Sequence, residues 1–194
     1  MVADAALETG HWQDVAFLDD AFAFGAKVLG LPVLGGVAEM RDLVEGYRDC
    51  LIAIGHNAQR RALLQTARVA GFALPGLIHP RAQVSQWAVI GAGSVLMVGA
   101  IVQVDSRLGE GVIVNTGASV DHDCVIGDAV HICPGVHLGG AVVIGDGAWI
   151  GIGATVREGV AIGAGAVVGA GACVINDIPA GTTAVGVPAR VVKE

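Results

Sequence analysis

The sequence predicts an amino-terminal α/β, Rossmann-like subdomain over residues 1–78, followed over residues 79–194 by a parallel β-helix with a short tail. Three observations carry that prediction. A six-residue hydrophobic period fills the second half, and strand and helix patterns alternate in the first. The chain also opens on a helical pattern, Val2–Glu8, with no strand and no glycine-rich turn before it, so the sheet is expected to lack its first strand.

Every sixth residue from Val84 to Val174 is Val, Ile or Leu, at all sixteen positions. A helix repeats its apolar stripe at three and four residues, whereas a period of six gives each short flat strand one inward aliphatic. Glycine follows the aliphatic at 91, 109, 127, 139, 145, 151, 163 and 169, where it is read as the bend, and a small residue recurs four after the aliphatic, as at Ala88, Ser94, Ala100 and Ala118. The pattern matches left-handed parallel β-helices of hexapeptide repeats, three hexapeptides to a triangular coil. Handedness rests on that match, because parallel crossovers are otherwise right-handed. The repeats make about five coils and a prism about 25 Å tall.

Composition narrows the function classes. With 54% hydrophobic residues, 30 glycines and only 6 prolines in 194 residues, the chain is neither disordered nor a linker. A net charge of −7 and 4% aromatics leave no basic stripe or stacking platform for nucleic acid. Residues 82–104 carry no charge and are long enough to span a bilayer, but their glutamines, serines and glycines continue the six-residue period, so no membrane insertion is expected. Four scattered cysteines without a C-x-x-C pair, and no leader pattern, predict a reduced, cytoplasmic protein. Cys124 and Cys173 fall in the ladder and are read as packing residues, while Trp87 and Trp149 are read as covering prism ends or subunit contacts.

In the first half, residues 15–20 and 50–55 read as strands, residues 36–45 as helical, and Asn57 as the N-cap of a helix over 58–69 ended by Gly71. Residues 77–83 read as a linker into the prism. Ligands of parallel sheets sit at strand carboxyl ends, which makes Asp19, Asp20, Gly55, His56 and Asn57 candidate substrate-binding residues. Caps and turn formers are the equal alternative.

The segments FLDD (17–20), IAIGHN (52–57), VNTGASVDHDCVIGDAVHICPGV (114–136) and VGVPAR (185–190) together resemble the PglD/NeuD-type sugar acyltransferases over essentially the whole chain. That resemblance implies acetyl-CoA as co-substrate, no metal, a nucleotide-linked amino sugar as acceptor (a UDP-4-amino-dideoxy sugar acetylated at its amine), and a homotrimer with the site at a subunit interface. Residue by residue, it implies His122 as general base, Asp123 as its partner where the family more often has Glu, and the Gly140 N–H as oxyanion donor. It sets Asn115, His131 and Ala170 along the cofactor cleft. The cations after Arg107, namely Arg157, Arg190 and Lys193, are then the candidates for the coenzyme's phosphates. A base titrating near neutrality suits an acceptor that loses a proton as it attacks a thioester.

The absent first strand leaves two expectations: a start placed too late, which the persistence of FLDD and IAIGHN favours, or a degraded nucleotide site. Two other functions compete. A γ-carbonic-anhydrase-like enzyme would hold zinc on three histidines, but His131 and His137 are six apart and fall on adjacent faces. A non-catalytic scaffold would be indifferent to loss of His122.

Overall fold

The computed structural model describes residues 1–193, leaving the side chain of Lys193, one phosphate candidate, outside the described residues. From Leu77 the chain winds into a three-sided prism of two-residue parallel strands spaced six apart. Each strand bonds to the one a full coil later, so that Val95, Ile113, His131, Trp149 and Val167 stack in register up one face. That face has eight strands, the last two being the tail segments Thr183–Val185 and Arg190–Lys193, while the others have six and five. The second residue of each pair points inward. Leu96, Val102, Val114, Val120, Ile126 and Ile132 are essentially inaccessible and form one continuous axial core.

Two details of the prism differ from the sequence-based expectation. Residues 77–83 are not a linker, since Leu77–Ile78 and Gln83–Val84 already pair with Val95–Leu96 and Ile101–Val102. The bend also falls elsewhere: the left-handed backbone recurs three residues after each aliphatic, at 93, 99, 105, 111 and onward to 171. The glycines one after the aliphatic answer to coil stacking instead. A β-carbon on Gly127 would stand 2.6 Å from the Asp146 amide of the next coil, and one on Gly151 2.6 Å from the Val168 carbonyl.

Before the prism stand helix α1 (Val2–Glu8), a 3-10 helix at Val37–Leu43 and helix α2 (Asn57–Ala70), the last ended by Gly71 at φ +104°. His56, not Asn57, caps α2, its Nδ1 accepting from the Gln59 amide at 3.3 Å. Leu64 of α2 packs where β-carbons on Gly93 and Gly111 would sit, seating the helix directly on the coils. No helix among the described residues is long and apolar enough to cross a membrane.

The two expected strands, 15–20 and 50–55, do not form. Each is extended but held along one edge only, by single parallel bridges Phe17 to Val33 and Asp49 to Ala73. Their other edges face a cavity of about 600 Å³ lined by Val2, Phe17, Leu18, Leu51, Ile52 and Phe72 among others. The Trp12 indole donates to Asp49 Oδ2 at 2.9 Å, which puts the starts of both segments at the same end of this slot. The backbone groups of Ala16, Leu18, Leu51 and Ala53 have no backbone partner among the described residues, so neither segment becomes a ladder strand.

Candidate functional site

The turn at 121–124 joins the six-stranded and five-stranded faces and carries the first cluster. Asp123 adopts the left-handed conformation at φ +59°, which a short aspartate tolerates better than most side chains. From there its Oδ2 lies 2.8 Å from His122 Nδ1, and Asp121 Oδ1 accepts from the His122 amide at 2.8 Å. A carboxylate accepts only, so Nδ1 carries the proton and Nε2 is left with a free lone pair. The hydrogen bond that Nδ1–H donates to Asp123, helped by the charges of Asp121 and Asp123, raises the imidazole pKa above its ordinary value. One coil above, Gly140 lies against the ring, where a β-carbon would stand 2.6 Å from Nε2. The Gly140 N–H has no partner among the described residues.

The second cluster is a groove of about 350 Å³ on the eight-stranded face, lined by Asn115, His131, Cys133, Trp149, Ile152 and Ala170 among others. His131 is buried, its ring 4.3 Å from that of Trp149 centre to centre. Trp149 is thus a wall of the groove rather than a cover for an end of the prism, whereas Trp87 is largely exposed. His131 Nδ1 lies 3.3 Å from the Gly55 carbonyl and Nε2 3.2 Å from the Asn115 amide nitrogen. One tautomer satisfies both contacts: Nδ1–H donates to the carbonyl and Nε2 accepts from Asn115. Burial, with the nearby Arg60 charge, pushes the ring's pKa down against the opposing pull of the Gly55 carbonyl.

The loop at 54–57 touches this groove. Asn57 Nδ2 donates to the carbonyls of Gly147 and Ala148 at 2.9 and 3.1 Å, which is why the side chain is not free to cap α2. Its Oδ1 accepts from Arg60, a fully buried residue the sequence reading passed over. The signal was there: residues 60, 64 and 67 fall at helical spacing on the buried stripe of α2.

The remaining candidates lie apart. Asp19 Oδ1 accepts from the Ala21 amide and Asp20 Oδ1 from the Val37 amide, so both act as turn and helix caps at the edge of the slot. Arg157 is exposed on the corner above Gly139, and Arg190 is exposed on the tail, donating to the Ala189 carbonyl. His137 pairs with Ser119 at 2.8 Å on the six-stranded face, apart from the groove of the eight-stranded face. Among the described residues no three His, Cys, Asp or Glu side chains converge as metal ligands. Cys124 is a packing residue, buried, with its thiol pushed up by desolvation.

The family model for the PglD N-terminal domain matches residues 1–67, and that for the bacterial transferase hexapeptide, six repeats, matches residues 141–176. The prism is accordingly a left-handed β-helix. No curated protein matches the chain. Among solved structures, the acetyltransferase domain of PglB from Neisseria gonorrhoeae in complex with acetyl coenzyme A is 45% identical, with 98% of this chain and 92% of that chain covered and a TM-score of 0.94. GDP-perosamine N-acetyltransferase from Caulobacter crescentus, as a histidine-to-alanine variant in complex with CoA and GDP-perosamine, is 39% identical over 100% of this chain and 91% of that chain, with a TM-score of 0.95. WeeI from Acinetobacter baumannii is 32% identical over 91% and 85%, with a TM-score of 0.85.

Proposed function

The chain belongs to the PglD-type family of sugar acetyltransferases, and from that premise we propose that it moves the acetyl group of acetyl-CoA to the amine of a nucleotide-linked 4-amino-dideoxy sugar. The observation that carries the reading is the His122–Asp123 pair with the unpartnered Gly140 N–H beside it. The acceptor nitrogen attacks the thioester carbonyl, a C–N bond forms, and the C–S bond breaks. His122 Nε2 takes the amine proton and returns it to the departing thiolate, while Asp123 holds the ring and stabilises the imidazolium. The Gly140 N–H faces the developing oxyanion. Support for the two ligands comes from the relatives, one crystallised with acetyl-CoA and another with CoA and GDP-perosamine.

The groove of Asn115, His131 and Ala170 receives the thioester end of the cofactor, with Arg157, Arg190 and Lys193 as the cations for its phosphates, and the loop Gly55–His56–Asn57 with Asp19 and Asp20 faces the nucleotide sugar. His122 lies on the corner between the six- and five-stranded faces and His131 on the eight-stranded face of the same prism, so a neighbouring copy is needed to bring a base to a groove, which favours a homotrimer with its sites at the interfaces.

The test is thiol release with acetyl-CoA and a UDP-4-amino-4,6-dideoxy sugar, run beside GDP-perosamine, for the natural chain and His122→Ala. Turnover with the UDP sugar that His122→Ala abolishes supports the whole reading. Turnover only with GDP-perosamine replaces the nucleotide and keeps the chemistry. Undiminished turnover in His122→Ala removes the base.

A further inference from the structure

Helix α2 buries a guanidinium with no carboxylate beside it among the described residues. Arg60 is inaccessible to solvent, and all of its contacts are neutral oxygens: Nε donates to Gly111 O at 2.7 Å, Nη1 to Ile54 O and Gly55 O at 3.1 and 2.8 Å, and Nη2 to Asn57 Oδ1 and Ala129 O at 2.9 and 2.8 Å. Five N–H groups meet five close acceptors, with Val130 O a sixth at 3.4 Å, on three separate pieces of chain. A buried charge without a counter-charge is an expensive way to fill a core, and desolvation lowers this one to about 10. A leucine or methionine on the stripe with Leu64 and Ala67 would pack the helix at lower cost, so packing does not account for an arginine here.

The contacts show what it does instead. Gly55 O accepts from Arg60 Nη1 and also lies 3.3 Å from His131 Nδ1. Ala129 and Val130, which Nη2 reaches at 2.8 and 3.4 Å, lead directly into His131. The guanidinium therefore grips both the acceptor of the His131 ring proton and the backbone that carries the ring. Its planar fork fixes directions that an ammonium could not.

We propose that Arg60 is a positioning residue that locks His131 in the Nδ1–H tautomer and ties the 54–57 loop to the cofactor groove. The proposal rests on the acetyltransferase reading for its kinetic consequences, though not for its structural ones. With the lock in place, Nε2 of His131 stays an acceptor, the ring stays neutral beside the thioester, and the sugar-facing loop and the acetyl-facing groove keep one fixed separation.

The test is the ¹⁵N spectrum of the His131 imidazole in the full chain, with no substrate present, for the natural protein, Arg60→Met and Arg60→Lys. The natural protein is expected to show a protonated Nδ1 and a bare Nε2, neutral to below the ordinary histidine range. Arg60→Met should show mixed tautomers, and Arg60→Lys, which restores charge without the fork, should leave them mixed. Kinetically, kcat/KM should fall about a hundredfold in both variants, carried by kcat more than by KM for the sugar. Should Arg60→Met not fold, Arg60→Lys carries the test. A folded variant with an unchanged His131 spectrum overturns the proposal. Mixed tautomers in variants of a protein inactive toward every amino sugar would leave the lock standing and remove the acetyltransferase reading alone.

Discussion

The His122 ring rests on the backbone of Gly140 so closely that a β-carbon there would lie 2.5 Å from Cε1. The two residues occupy successive coils, and only a side chain of zero length lets the imidazole lie flat on the corner while keeping its bond to Asp123. Gly140→Ala should therefore displace the ring without removing the N–H. Since a displacement of about 1 Å can cost about a hundredfold in rate, kcat should fall about that much with an unchanged melting temperature.

Asp123 raises the His122 pKa, mainly through their hydrogen bond, and a general base works only when neutral. The acid limb of the kcat/KM profile should thus lie above the ordinary histidine value in the natural protein. In Asp123→Asn that limb should move to lower pH while the plateau drops, as the wrong tautomer becomes accessible. His122→Ala should lower kcat by about 10²–10⁴ and flatten the limb.

The burial of His131 has the opposite sign. Its pKa in the fold is depressed, so the unfolded chain binds the proton more readily between the two values. The contribution of this group to stability is complete above the ordinary imidazole range and declines as pH falls through that range towards the depressed value. Denaturant titrations at stepped pH should show this decline in the natural protein and its absence in His131→Gln.

Leu64 holds α2 to the coil corners at Gly93 and Gly111 and is 4% exposed. Leu64→Ala should cost about 2–5 kcal/mol, the range for a buried leucine whose site does not collapse. Circular dichroism melts would report it as an earlier loss of helix, with the strands retained.

The ladder was legible because one physical rule, an inward aliphatic on every flat strand, repeats without interruption from Val84 to Val174. The His122 cluster was legible through a motif. What escaped were relations that no local rule encodes. Asn57 has the composition of a cap, yet two carbonyls of a coil some ninety residues away claim its amide, and His56 takes the cap. Residues 15–20 and 50–55 have strand composition, but a strand is a pairing, and each segment has one edge without a partner. Trp149 resembled a surface cover until the register placed it beside His131.

Those unpaired edges make a further prediction. Amide protons of Ala16, Leu18, Leu51 and Ala53 should exchange in the fast range of exposed backbone, whereas those of Val95, Ile113 and His131, bonded between coils at 2.8 to 3.0 Å, should be among the slowest. Comparable rates in both sets would mean the slot is closed in solution.

The slot also has a thermodynamic volume. Compression favours whichever state occupies less space, and the loosely packed apolar walls around this open slot of about 600 Å³ give up more volume on coming apart than a close-packed axis does. The prism, whose axis is filled from Leu96 to Val174, has little such volume to surrender. Hydrostatic pressure thus acts on the two halves unequally: it is the amino-terminal half, with its loop against His131, that yields first, and acetyl transfer should fade with it while the coils stay wound.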